Sequence, residues 1–202
     1  MQSLLEFMNR DRLKKYKAYN YFPKSNKELK EIVKKLIKER GKEADLNDID
    51  VSQINDFSHV FEDLTFNGDI SNWDVSNATT MKAMFYATRD FTGKNTDFSG
   101  WDVSKVKDMG IMFTYTQFNG NISEWNTKSV TTMGGMFMGS EFDQNISGWN
   151  VENVTNIGNM FRNSSFDKNL EKWHFKNKPN MDYAFAGCCA KVNNKLPSWY
   201  NG

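Results

Sequence analysis

The sequence predicts an α/β repeat protein: a solenoid of about six coils, built from short parallel strands and short helical turns, with a helical N-terminal cap. Three observations predict it. Trp73, Trp101, Trp125, Trp149 and Trp173 recur at intervals of 28, 24, 24 and 24. Phe61, Phe85, Phe113, Phe137, Phe161 and Phe185 recur at 24, 28, 24, 24 and 24. One four-residue insertion between Phe85 and Trp101 accounts for both longer intervals. A fixed period in this range marks units that bury their apolar sides only by stacking.

Taken in order, residues 1–44 read as a basic helical cap. A helix fits Ser3–Tyr19, and a clearer one fits Ser25–Gly41. Ser25 and Glu28 form a Ser-x-x-Glu capping pattern, and Gly41 supplies the stop. Leu29, Ile32, Val33, Leu36 and Ile37 make one apolar stripe. Residues 45–187 are the repeats. Each carries an apolar residue three before the Trp (Ile70, Phe98, Ile122, Ile146, Leu170) and two after it (Val75, Val103, Thr127, Val151, Phe175). The stretch 69–75 therefore reads as a short strand. Met81, Met84 and Phe85, with their equivalents, have helical spacing and read as one helical or 3₁₀ turn. Residues 188–202 read as a C-terminal cap. The insertion, Asp90 to Thr96, is expected to bulge from its coil.

Composition narrows the class. The 202 residues are 39 % hydrophobic, with 16 Phe, 7 Tyr and 6 Trp, and the mean hydropathy is -0.69. Such a chain suits a shallow, elongated core. No apolar run is long enough to span a membrane. Met1 to Arg12 shows no signal peptide, which predicts a cytoplasmic location. Net charge is +1, split between +7 in residues 1–44 and -6 in residues 45–202. Two adjacent cysteines, Cys188 and Cys189, exclude a disulfide framework, and two histidines leave little for acid–base work. No nucleophile elbow, phosphate loop or zinc-protease string is present. The expectation is a protein without catalytic residues, metal or cofactor. Asp and Asn share a column at 69, 97, 121, 145 and 169, which reads as stacked side chains bonding between coils rather than a calcium site.

Two surfaces are candidates for partner contact. One is the exposed coil face, with the polar column Asp74, Asp102, Asn126, Asn150 and His174 and the residues after each Phe, namely Tyr86, Tyr115, Met138 and Arg162. Aromatic, Met and Arg side chains are the types that dominate binding energy at protein interfaces. The other is the basic segment Arg10, Arg12, Lys14, Lys15 and Lys17, interleaved with Tyr16 and Tyr19. That mixture suits RNA or nucleoprotein contact, or a solvated helix face. A protein is the expected partner of the repeats.

The strings Phe-Asn-Gly-Asp-Ile-Ser-Asn-Trp-Asp-Val-Ser-Asn (66–77) and Val-Thr-Thr-Met-Gly-Gly-Met-Phe (130–137) resemble the repeat of BspA-like bacterial surface proteins, a divergent leucine-rich repeat. The lead-in at 21–29 and 44–52 is similar to the segment preceding such repeats, so the resemblance covers about residues 21–187. It implies a leucine-rich-repeat-like fold, a bacterial or phage origin, and binding rather than catalysis. Two settings follow from it. One is a surface adhesin, as family members commonly are. The other is an intracellular, phage-encoded inhibitor of a host nucleoprotein or defence complex, which the missing signal peptide favours.

Overall fold

The computed structural model describes residues 19–200. The basic segment Arg10, Arg12, Lys14, Lys15 and Lys17 lies outside them, as does nearly all of the helix expected over 3–19. Among the described residues there are two helices, α1 (Asn26–Arg40) and the single turn α2 (Cys189–Val192). Neither is long and apolar enough to cross a membrane.

Helix α1 forms where its stripe and ends predict. The Ser25 hydroxyl accepts from the Glu28 N–H at 3.2 Å, and the Gly41 N–H donates to Ile37 O at 2.9 Å. The reciprocal half of the capping box differs: the Glu28 carboxylate takes the Lys24 N–H, one residue earlier than the pattern requires. Leu29, Val33 and Leu36 are fully buried.

The repeats are made of turns. In the unit that starts at Ile70, i→i+3 backbone bonds join Ile70 to Trp73, Val75 to Ala78, Met81 to Met84, Ala83 to Tyr86 and Phe85 to Thr88. Ala83 and Ala87 have φ of 55° and 54°, and each stands third in its turn, the requirement of a type II turn. The same two positions are left-handed in every unit: His59 and Asp63, Ile111 and Tyr115, Gly135 and Gly139, Asn159 and Asn163, Tyr183 and Gly187.

These turns form a polar ladder. The N–H groups of Met81, Ala83, Phe85 and Ala87 donate to Asp108, Gly110, Met112 and Thr114 carbonyls of the next unit, at 2.9–3.0 Å. Four matching rungs link 57–63 to 80–86, 109–115 to 132–138, 133–139 to 156–162 and 157–163 to 180–186. In every case the earlier unit donates and the later accepts. The ladder touches β geometry only at single parallel bridges, Asp56–Thr80–Asp108–Thr132–Asn156–Asn180, with two more at Tyr21–Ile49 and Asp45–Asp69.

The predicted α/β solenoid of six coils is therefore corrected. No sheet is formed among the described residues, and the strand expected over 69–75 is absent. The apolar spacing there is three and then two, and the Ile70–Trp73 turn satisfies it with a bent backbone. Nor are there helical turns in the repeats. A left-handed residue at every fourth position ends a helix before its first full turn. The helical N-terminal cap is corrected as well. Residues 19–22 are not helical: Tyr21 bridges Ile49 and accepts from the Asp50 N–H. The buried side of α1 belongs to the same core as the repeats rather than to a separate unit.

That core is a set of aromatic columns. Phe61, Phe85, Phe113, Phe137, Phe161 and Phe185 stack at centroid distances of 5.0–5.8 Å. Phe66, Phe91, Phe118, Phe142 and Phe166 make a second column at 5.8–6.3 Å. Trp101, Trp125 and Trp149 stack at 6.3 and 6.4 Å. Each indole N–H donates to a carbonyl one unit back, as from Trp149 to Ile122 at 3.0 Å. Buried hydroxyls close the turn behind each Phe: Thr116, Ser140 and Ser164 donate to Phe113, Phe137 and Phe161 carbonyls. Cys188 holds the next such position, fully buried, and burial pushes its thiol up.

The insertion folds inward rather than bulging free. Phe91 is fully buried, and the Thr96 hydroxyl, 5 % exposed, donates to Gly68 O at 3.0 Å.

Candidate interaction surface

The polar column faces solvent, but its acceptors are engaged. Asp74, Asp102, Asn126 and Asn150 each accept, through Oδ1, the N–H two residues on, at 3.0–3.3 Å. These are Asx turns, which brace the bend after the Trp. The bond from Ser104 holds the Asp102 carboxyl below its usual range. The column at 69, 97, 121, 145 and 169 does the same, so its side chains bond within a unit and not between units as expected. His174 breaks the polar column and lines a cleft with Trp173, Phe175 and Trp199.

The residues after each Phe lie along the ladder, one turn-edge per unit. Tyr86 and Tyr115 meet edge to face at 6.2 Å. Tyr115 is 46 % exposed and left-handed, and its ring lies over Gly139, where an added Cβ would sit 2.5 Å from the ring edge. Met138 is half-buried and Arg162 exposed. The Arg162 guanidinium lies over the Tyr183 ring at 5.5 Å. Tyr183, 64 % exposed, was not among the sequence candidates. Its signal was available: it stands in the register of Ala83, Ile111, Gly135 and Asn159, on the last rung.

The two ends of the ladder differ in chemistry. At the first unit the outward groups are carbonyls, and Asn26 Nδ2 donates to Asp56 O and Ser58 O at 3.1 and 2.9 Å. At the other end of α1 Arg40 makes a two-pronged contact with Asp48, at 2.8 and 2.9 Å. That guanidinium holds the Asp48 carboxyl down at about 2. At the last unit the outward groups are the N–H groups of Met181, Tyr183, Phe185 and Gly187. The Tyr200 hydroxyl faces the Phe185 N–H. No hydrogen bond engages the other three among the described residues. A cleft of about 790 Å³ lies against them, lined by Lys178, Met181, Asp182, Tyr183, Lys191 and Tyr200.

No group of three His, Cys, Asp or Glu side chains is placed to hold a metal ion among the described residues. No curated protein and no solved structure matches the chain. One family profile matches twice, over residues 27–116 and again over 92–199, and its description reads "Mycoplasma protein of unknown function, DUF285". The two matches overlap across the insertion and together span the described repeats, so the chain belongs to the DUF285 family.

Proposed function

We propose that this chain is a non-enzymatic module that binds a protein partner through the turn-edge carrying Tyr86, Tyr115, Met138, Arg162 and Tyr183. One observation carries the reading: Tyr115, Arg162 and Tyr183 stand exposed, and Tyr86 and Met138 half-buried, on successive rungs of a hydrogen-bonded ladder. Their backbone is held by four inter-unit bonds per step, so little order is lost when a partner docks. The side-chain types are those that dominate interface energetics. The resemblance to BspA-like surface repeats supports binding over catalysis.

The test is affinity capture from cells of the source organism, with the partner identified on the native chain. The variant Tyr115→Ser/Arg162→Ser is expected to fold normally and to weaken that capture at least about tenfold, as for paired hot-spot residues. A partner held equally by both chains places its contact elsewhere and overturns this face.

A further inference from the structure

We infer that the C-terminal edge of the ladder is a docking site for an acidic segment of a partner protein, which adds as one more rung. The inference rests on the reading of the chain as a protein-binding module but centres on the end of the ladder rather than its side, with Tyr183 bordering both.

The argument starts from the ladder's direction. Each unit donates alternate N–H groups to the carbonyls of the unit after it, five times over. The last unit keeps the donating conformation: Tyr183 and Gly187 have φ of 58° and 70°, like their paired equivalents. Its donors at Met181 and Tyr183 are thus held ready for carbonyls two residues apart, and the Gly187 N–H stands beyond the Phe185 N–H that Tyr200 faces. Strand addition to an exposed sheet edge is an established recognition mode, in which main-chain bonds supply affinity and flanking pockets supply selectivity, and this row of N–H groups offers the same main-chain bonds without a sheet.

The occupant's chemistry follows from what the edge rejects. A second copy docked tail to tail would set donors against donors. A second copy docked head to tail would offer the carbonyls of its first unit, but two of those already accept from Asn26. A second copy thus offers only part of an acceptor row, and the occupant we assign is a different protein. Lys178 and Lys191 line the adjoining cleft against one carboxylate, Asp182. The neighbouring acids are occupied, Asp167 by Lys195 and Glu171 by Ser198. The rim is cationic, which selects an acidic segment.

The experiment uses the full chain and a peptide copying residues 106–116, the segment whose alternate carbonyls serve the preceding unit, with Lys107 changed to Glu. Amide hydrogen exchange is followed residue by residue. The expected result is slowing of at least about tenfold at Met181, Tyr183 and Gly187 on saturation, with other amides unchanged. Lys178→Glu/Lys191→Glu should fold normally and bind the peptide roughly tenfold more weakly at low salt. No slowing of these amides at millimolar peptide overturns the inference. So does slowing that tracks protein concentration without peptide, which makes a second copy the occupant. Tyr115→Ser, on an earlier unit of the ladder, should bind the peptide like the native chain. Failure of the edge therefore leaves the turn-edge reading standing, and the reverse holds too.

Discussion

The first and last units of the ladder share one backbone conformation and end in opposite chemistry. The first exposes carbonyls, and those of Asp56 and Ser58 take the Asn26 side-chain amide. The last exposes N–H groups, and among the described residues only the Tyr200 hydroxyl faces one of them, with Trp199 stacked on Trp173 at 6.2 Å alongside. The four turn rungs of each step run one way, with a reverse bond such as Thr79 N–H to Asn55 O at their foot, so the two ends are unlike. Among the described residues two of the four outward carbonyls at the first unit are engaged and one of the four outward N–H groups at the last, so the acceptor end is the more covered of the two.

The largest effect that would break this contrast is loss of packing. Leu36→Ala, at a fully buried position, should cost about 2–5 kcal/mol in denaturant unfolding. Trp199→Ala, at a half-buried position of the other end, should cost about half of that despite the larger ring. Equal losses would mean the two ends are held alike.

Next comes the Asn26 contact. Asn26→Ala leaves two part-buried carbonyls without their donor and should cost about 1–2 kcal/mol. Faster exchange should appear at Phe57 and His59, which follow those carbonyls, before it appears at later units. A uniform loss across all units would contradict a local role.

The Arg40–Asp48 contact gives a smaller, pH-dependent effect. The Asp48 carboxyl lies below its unfolded value, so its contribution is complete above about pH 4 and fades as pH falls towards about 2. Asp48→Asn should therefore be less stable than the native chain at neutral pH. The two melting curves should converge as the medium is acidified through that window. A difference that persists at pH 2 would show that the carboxylate charge is not the cause.

The finest measurement moves no stability. In the unliganded chain the amides of Ala83, Ile111, Gly135 and Asn159, which donate to the following unit, should exchange slowly. Tyr183, in the same register, should exchange close to the rate of an unprotected amide. Protection at Tyr183 equal to that of Asn159 would show the donor end already covered.

Much of the architecture was legible in the residues. The period, the insertion, the first Phe column, the Trp column and the buried face of α1 all follow from spacing. The second Phe column was overlooked because the insertion is divided around it: Phe91 lies six residues after Phe85, where Phe118 lies five after Phe113. The turn-edge residues are legible from their types, whereas the exposure of Tyr183 comes from its place on the last rung, since Ala83 in the same register is fully buried. The open donor edge had no sequence signal, since any residue but proline carries an N–H.

What the sequence determined by itself is which residues stack on which, because burial of apolar side chains depends on period and that is written in the order of residues. What only the tertiary structure decided is the backbone that delivers the stacking. An apolar residue every two, three or four positions is equally consistent with strand, helix or consecutive turns when the segment is short. The deciding quantity is the sign of φ at two positions per unit. Glycine marks it only at Gly135, Gly139 and Gly187, while Ala, His, Ile, Tyr, Asp and Asn adopt it elsewhere. Those residues take a left-handed conformation that costs about 1–2 kcal/mol each, and hold it because it aims every second N–H at the unit that follows.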